Sequence, residues 1–504
     1  MSKRPNILLI TSDQQHWDTI GLTNPRIKTP NLDRLAREGT RFTRSYCSNP
    51  VSSPSRSTIV TGLYPSSHGC WTIGVKLPED VPTVGETFQR HGYGTTLVGK
   101  AHFQPLATRP GMESLECQPV LRNLDFWRSF HGPWYGFQRV ETARMHADEA
   151  HAGQHYAIWM EEQGLGNWKD YFQMWPADDA HKPRKHSWNL PERFHYTRWT
   201  AERTIANIRR HVERDEPFFL WSSYHDPHPP YLVSEPWASM YDPKDMQPGR
   251  LAPGELERLP PHFRKTQEAK PDFSYWKETP YGNHGFQSHL HDDAEFRKNM
   301  AVYYGMTSFM DQQIGRTLDE LDRLGIAENT LVMFSTDHGH FLGQHGLIAK
   351  GAFHFDDLIR LPHLVRWPGQ VPAGRSCEAL QSQVDYAPTF LSAAGIEVPG
   401  LMQGVSQLDV WRGRAERARD HAIVENRHQP TKIHVRTFVD ERYKLTVYRG
   451  ETYGELFDLR EDPHETHNRW DDPDCAAVKA RLFEKFVQAE IAREPTRMPR
   501  IAGA

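Results

Sequence analysis

Cysteine is scarce in this 504-residue chain, and the five present, Cys47, Cys70, Cys117, Cys377 and Cys475, are odd in number and follow no framework spacing. That excludes a disulfide scaffold and the common C-x-x-C zinc and redox motifs. Reduced thiols are expected, and with them a cytoplasmic address, or a periplasmic one if an export signal has been removed. Long apolar runs are missing as well. The first, Asn6–Ile10, stops at Thr-Ser-Asp, too short for the core of a signal peptide or for a bilayer, so no membrane span is expected. Neither sign of charge dominates: 60 Lys and Arg face 64 Asp and Glu, scattered along the chain for a formal net charge of −4, which leaves no basic stripe for nucleic acid. Internal repeats and low-complexity tracts are absent too.

What is there suits a polar, loop-built pocket: 28 His, 15 Trp and 37 Pro. The length exceeds what one small core needs and points to two or three lobes. Asn6–Thr11 reads as a buried strand ending in Ser12-Asp13-Gln14, and strand ends are where α/β sheets place ligands. Helices are expected at Asn31–Gly39 and Thr83–Gly92, the second leading into a strand at Thr95–Val98. Periodicity then disappears, and Trp127, Trp134, Tyr135, Trp159, Trp168 and Trp175 accumulate. This stretch reads as an insertion over the site, or as aromatic packing under a long loop.

Regular pattern returns with a helix at Tyr196–Val212 and a strand at Pro217–Ser222. A second loop-rich insertion follows, then a long helix at Phe296–Leu324 and a buried strand at Thr330–Ser335. A helix at Asp385–Gly395 closes the large domain. Short alternating strands at Ala422–Glu425, His434–Val439, Tyr443–Tyr448 and Glu455–Leu459, with a helix at Ala476–Ile491, predict a small antiparallel sheet. The expected division is a catalytic α/β domain over 1–395, with insertions at about 106–190 and 225–292, and a C-terminal subdomain over 396–504.

Several segments carry groups able to do chemistry. Ser52-Ser53-Pro54-Ser55-Arg56 runs into an apolar stretch ending at Thr61-Gly62. Pro54 suits a first helical turn because it needs no amide hydrogen, so Ser52 sits beside free N–H groups that attract an anion. Gly92–Gly99 leads to Lys100-Ala101-His102, and Tyr224-His225-Asp226-Pro227-His228-Pro229-Pro230 follows an apolar strand. Thr336-Asp337-His338-Gly339 precedes Leu342-Gly343-Gln344-His345-Gly346 and Lys350-Gly351. Asp13 with Gln14, and Asp337 with His338, make two strand-end pairs able to converge on one cation. Carboxylates and an amide oxygen favour a hard ion, so calcium leads, while His338 keeps manganese and magnesium open.

These segments, in this order, resemble the sulfatases of the alkaline-phosphatase-like superfamily. The resemblance implies a large mixed sheet flanked by helices on both faces, plus a small C-terminal antiparallel sheet packed with a helix. It also implies that residue 52 is oxidised to formylglycine by a maturation enzyme and joins Asp13, Gln14, Asp337 and His338 around the metal. Arg56, Lys100 and Lys350 would stabilise the sulfuryl oxygens, His102 would take a proton from the aldehyde hydrate, and His228 would serve the leaving oxygen. His225, Arg427 and His428 are candidate substrate contacts. The expected substrate is a sulfate monoester of a sugar or other small molecule; the oligomeric state is left open.

Three departures stand out. The family's first metal pair is often Asp-Asp, here Asp13-Gln14. Asp337-His338 occurs in sulfatases and in related phosphonate monoester hydrolases alike, so a phosphonate monoester or phosphodiester hydrolase is the alternative reading. Position 52 is serine rather than the commoner cysteine, which admits a second alternative, an unmatured protein that binds a sulfate ester without turnover.

Overall fold

The computed structural model describes residues 4–144, 152–172, 186–276, 292–427, 432–495, 498 and 501–503. Its organising element is the strand Asn6–Ser12, buried at every position. Successive strand side chains point to opposite faces, so a continuous apolar run is stable only when both faces are covered. Ile7 and Leu9 pack with Ile59, Val60, Phe88 and Phe390 on one side. Leu8 and Ile10 pack with Leu32, Leu35, Ile208, Ile314 and Leu318 on the other. Each such side chain contributes roughly 1.5–3 kcal/mol of burial.

The result is a three-layer sandwich around an eight-stranded sheet. The strand order is Arg375–Cys377, Thr40–Phe42, Leu364–Arg366, Thr330–Thr336, Asn6–Ser12, Phe218–Ser223, Gly94–Gly99 and Arg139–Thr142. Asn6–Ser12 runs parallel to both of its neighbours, whereas Leu364–Arg366 is antiparallel to its own, making the sheet mixed. Helices Ser52–Thr61, Val84–Arg90 and Tyr386–Ala393 cover one face; Pro30–Glu38, Tyr196–Glu213 and Asp293–Arg323 cover the other. Val84–Arg90 opens with a capping box, Thr83 accepting from the Glu86 N–H and Glu86 from the Thr83 N–H.

Strands Ala422–Arg427, His434–Val439, Tyr443–Tyr448 and Gly454–Asp458 form an antiparallel meander. Ile423, Phe438, Leu445 and Leu456 meet Leu482 and Phe486 of the terminal helix Ala476–Ala492 on one face. Val424 and Val439 meet Tyr46, Ile359 and Leu361 of the large layer on the other.

The reading of 106–190 as an insertion needs correction in one place. Within it, Arg139–Thr142 pairs parallel with Gly94–Gly99 and forms an edge of the main sheet. Its sequence, Arg-Val-Glu-Thr, has a single aliphatic residue, and an edge strand needs no more. Trp159 and Trp168 belong to an aromatic cluster with Tyr156, Trp188 and Trp199; Trp175 lies outside the described residues. None of the five cysteines is in a disulfide, and among the described residues no helix is long and apolar enough to cross a membrane.

Candidate active site

Parallel register builds the site. Ser12 pairs with Thr336, so the next residues, Asp13 and Asp337, emerge side by side. Gly99 pairs with Ser223, which brings Lys100 to the same edge. Only glycine fits at position 99: its φ is 98°, and a Cβ there would lie 1.9 Å from the Ser223 carbonyl oxygen.

Ser52 opens the fully buried helix Ser52–Thr61 behind Val51, which has no side chain to cap the first-turn amides. Those amides and the helix dipole face the strand ends and favour negative charge. The helix is held there by Ser55, whose hydroxyl donates to the Asp337 carbonyl at 2.7 Å.

Ser52 Oγ lies 3.1 Å from His338 Nε2 and 3.4 Å from Asp13 Oδ1. Arg56 Nε donates to Asp337 Oδ2 at 3.0 Å, and its Nη2 is 3.5 Å from Asp13 Oδ2. Arg56 Nη1 donates to Ser223 Oγ at 2.7 Å and to the Lys100 carbonyl at 3.1 Å. Lys100 Nζ donates to Asp13 Oδ2. Lys350 Nζ stands 3.4 Å from His228 Nε2 and 3.5 Å from His338 Nε2. Residues far apart in the sequence thus gather around residue 52.

Protonation follows from this crowding. Burial alone would raise Asp13, but Lys100, Arg56, Lys350 and His338 outweigh it and hold the carboxyl well below the usual range. Burial and Arg56 bring the Lys100 ammonium down to about 7 against the pull of Asp13 and Asp337. Burial pushes His338 down to about 4 and holds His228 well below its ordinary value. Both rings are therefore neutral near pH 7. A carbonyl only accepts, so the His338 Nδ1 contact with Gly339 O at 3.0 Å puts the proton on Nδ1 and leaves Nε2 bare. The His228 Nδ1 contact with Pro229 O at 2.5 Å does the same there, and His228 Nε2 accepts from Lys350.

The donors fit a divalent cation. Ligand atoms of Asp13, Asp337 and His338 lie within 4.8 Å of one another. Gln14 Oε1 is buried without a hydrogen-bond partner among the described residues, which a cation would correct. Hard oxygen donors with one imidazole suit calcium, and also manganese or magnesium.

The remaining sequence-derived residues divide. His102 is buried at φ 61°, its N–H donating to Glu116 Oε1 at 2.9 Å. Burial, Arg144 and Lys100 hold its ring well below the ordinary histidine value. His225, expected to touch substrate, is 1% exposed, and its Nε2 donates to the Ala143 carbonyl at 2.7 Å, tying two strand ends together. Arg427 ends a small-sheet strand with its guanidinium 4.4 Å from the centre of the Trp71 ring. That strand is anchored by the Glu425 N–H on the Ser48 carbonyl at 2.8 Å, just before residue 52. His428 lies outside the described residues. Sequence reasoning missed Ser223, which holds Arg56, and Glu116, which holds the N–H groups of His102 and Gln104. Neither sits in a recognisable motif.

A family model described as Sulfatase matches residues 5–396. A second, described as N-sulphoglucosamine sulphohydrolase, C-terminal, matches residues 343–492. The chain is 29% identical over 499 residues to an uncharacterized sulfatase, YidJ, of Escherichia coli (strain K12), covering 98% of this chain and 89% of that protein. It is 24% identical to the N-acetylglucosamine-6-O-sulfatase of Bacteroides thetaiotaomicron, over 97% of this chain and 87% of that one. Among solved structures, the phosphonate monoester hydrolase of Agrobacterium radiobacter matches with a TM-score of 0.76 at 26% identity, over 97% and 96% of the two chains.

Proposed function

The chain belongs to the sulfatase family, hydrolases of sulfuric esters, and from that membership we propose that it cleaves the sulfate monoester of a sugar or other small organic alcohol, using a formylglycine made from Ser52 beside one divalent cation. The observation that carries the reading is the placement of Ser52 Oγ within 3.1 Å of His338 Nε2 and 3.4 Å of Asp13 Oδ1, among the basic side chains of Arg56, Lys100 and Lys350. The sugar is suggested by the N-acetylglucosamine-6-O-sulfatase similarity.

A bound cation, calcium first, would supply positive charge to the oxygen at position 52 and to the sulfuryl group. Formylglycine would supply, as its hydrate, one hydroxyl for attack and a second whose deprotonation releases sulfate, an exit that serine lacks. Arg56 holds fixed positive charge against the sulfuryl oxygens, charge that needs no reorganisation during reaction, and Lys100 and Lys350 add to it in their protonated forms. Lys350 Nζ donates to His228 Nε2 over 3.4 Å, and a proton from the Lys350 ammonium passes through this pair to the departing oxygen, leaving Lys350 as the neutral amine. Arg427 and the loops of the two insertions select the alcohol.

A second reading, a phosphonate monoester or phosphodiester hydrolase, draws on the Agrobacterium radiobacter similarity. The test is Ser52→Cys co-expressed with a cysteine-type maturation enzyme, assayed on sugar sulfates, an aryl sulfate and an aryl phosphodiester. Sulfate release faster than diester cleavage supports the proposal, and the reverse order favours the second reading. Intact mass of the natural protein decides whether Ser52 has lost two hydrogens; an unmodified serine points to a binding form without turnover.

A further inference from the structure

Only one end of a glutamine amide can ligate a cation, and the two ends have nearly the same shape. Gln14 is fixed first through its backbone. Its φ is 57°, a left-handed value that a side-chain-bearing residue adopts only when its surroundings enforce it. The Gln14 N–H donates to Asp337 Oδ1 at 2.9 Å, and the Tyr303 hydroxyl donates to the Gln14 carbonyl at 2.9 Å while accepting from the His16 N–H at 2.8 Å. The side chain is therefore delivered to one place, and what remains is which way round the amide sits.

Among the described residues, a single side chain addresses that question. Gln14 Nε2 lies 2.8 Å from His340 Nδ1. The His340 ring is fully buried and stacks on Tyr303 with centroids 4.8 Å apart and planes inclined by 12°. Its far nitrogen, Nε2, is 3.0 Å from the Tyr231 hydroxyl, which accepts when Nε2 carries the proton. With Nε2 protonated, Nδ1 is a bare acceptor and takes a hydrogen from the Gln14 NH2 group. The Gln14 oxygen is then the end of the amide left buried without a hydrogen-bond partner among the described residues, on a residue whose backbone N–H already rests on Asp337, one of the three clustered donors.

We infer that His340, held by Tyr231 and Tyr303, is a positioning residue that turns the Gln14 amide oxygen toward the cation. The inference rests on the metal site of the proposed function. A carboxylate at position 14 would need no such partner, because both of its terminal atoms are oxygens; an amide needs an acceptor behind its nitrogen. With His340 removed, the amide nitrogen loses its acceptor and the amide is no longer held with its oxygen forward, so the cation must orient it on binding and affinity falls.

The experiment measures calcium binding to the full-length, unmatured protein by titration calorimetry and by the calcium-induced rise in melting temperature. It uses four proteins: the natural chain, His340→Phe, Gln14→Glu, and the double variant. Phenylalanine keeps a ring against Tyr303 and removes the acceptor. The expected result is a loss of affinity of roughly tenfold for His340→Phe in the Gln14 protein, and less than about twofold for the same replacement in the Gln14→Glu background. His340→Gln, whose amide again offers an acceptor, restores affinity. Equal binding by His340→Phe and the natural protein overturns the inference, as does an equal loss in both backgrounds. A natural protein that binds no calcium, manganese or magnesium fails at the metal site itself, a separate outcome that removes both readings. If His340→Phe does not fold, nitrogen NMR of the calcium-loaded natural protein decides: Nδ1 of His340 bare supports the assignment, and Nδ1 protonated overturns it.

Discussion

Arg56 Nε donates to Asp337 Oδ2 over 3.0 Å, and neither side chain is open to solvent. The same guanidinium reaches Asp13, Ser223 and the Lys100 carbonyl, so it is the hub through which four strand ends meet. Breaking one side of a buried charge pair leaves the other charge uncompensated. Arg56→Ala should therefore lose about 3–5 kcal/mol in urea unfolding, with Arg56→Lys retaining part of it. A midpoint unchanged by Arg56→Ala would show that the hub contributes nothing to stability.

His345 offers a prediction in pH. Its Nδ1 pairs with Glu255 Oε1, its Nε2 lies 3.5 Å from Asp357 Oδ2, and its ring stacks on Phe355 at 3.5 Å. Burial opposes its charge, but Asp357 and Glu255 prevail and raise it from its ordinary 6.5 to about 9. A raised folded value means that the imidazolium's contribution is fully present below about pH 6.5 and is lost as pH climbs through about 9. The lost stability is on the order of 3 kcal/mol. The melting-temperature gap between the natural protein and His345→Gln should shrink across that window, and a gap independent of pH would refute the assignment.

Residue 52 carries the proposed nucleophile. Matured Ser52→Cys protein should lose sulfate release by roughly three orders of magnitude or more when position 52 becomes alanine. Turnover that survives Ser52→Ala would place the nucleophile elsewhere.

The Lys350–His228 pair should reveal itself through the leaving group. Lys350→Ala is expected to slow a sugar sulfate, whose alkoxide leaves poorly, by roughly a hundredfold or more. An activated aryl sulfate, whose phenolate needs no proton, should suffer much less. Equal losses on both substrates would assign Lys350 to charge stabilisation alone.

The central strands and long helices were legible because apolar runs such as Asn6–Ile10 and the helical spacing before Arg323 report local burial directly. Ser52, Lys100, His228, Asp337 and Lys350 were legible because their motifs keep short, ordered spacings. Partners joined across the fold were not. His340 meets Gln14 across 326 positions, and Glu116 meets His102 from a stretch without periodicity. Periodicity records which face a residue shows, not which distant group it will bond. The Arg139–Thr142 edge was missed for a related reason: it is buried through ion pairs of Glu141 with Arg139 and Arg203 rather than through a continuous apolar run.

Ser52 is only 1% exposed, enclosed by its own helix, two strand ends and the loop pinned by Glu425. Another protein cannot grip this segment in the finished fold. Under the proposed function, a tailoring enzyme acting at residue 52 would have to meet the chain before this region folds, so timing relative to folding, rather than affinity for the folded surface, would decide what fraction of molecules becomes active.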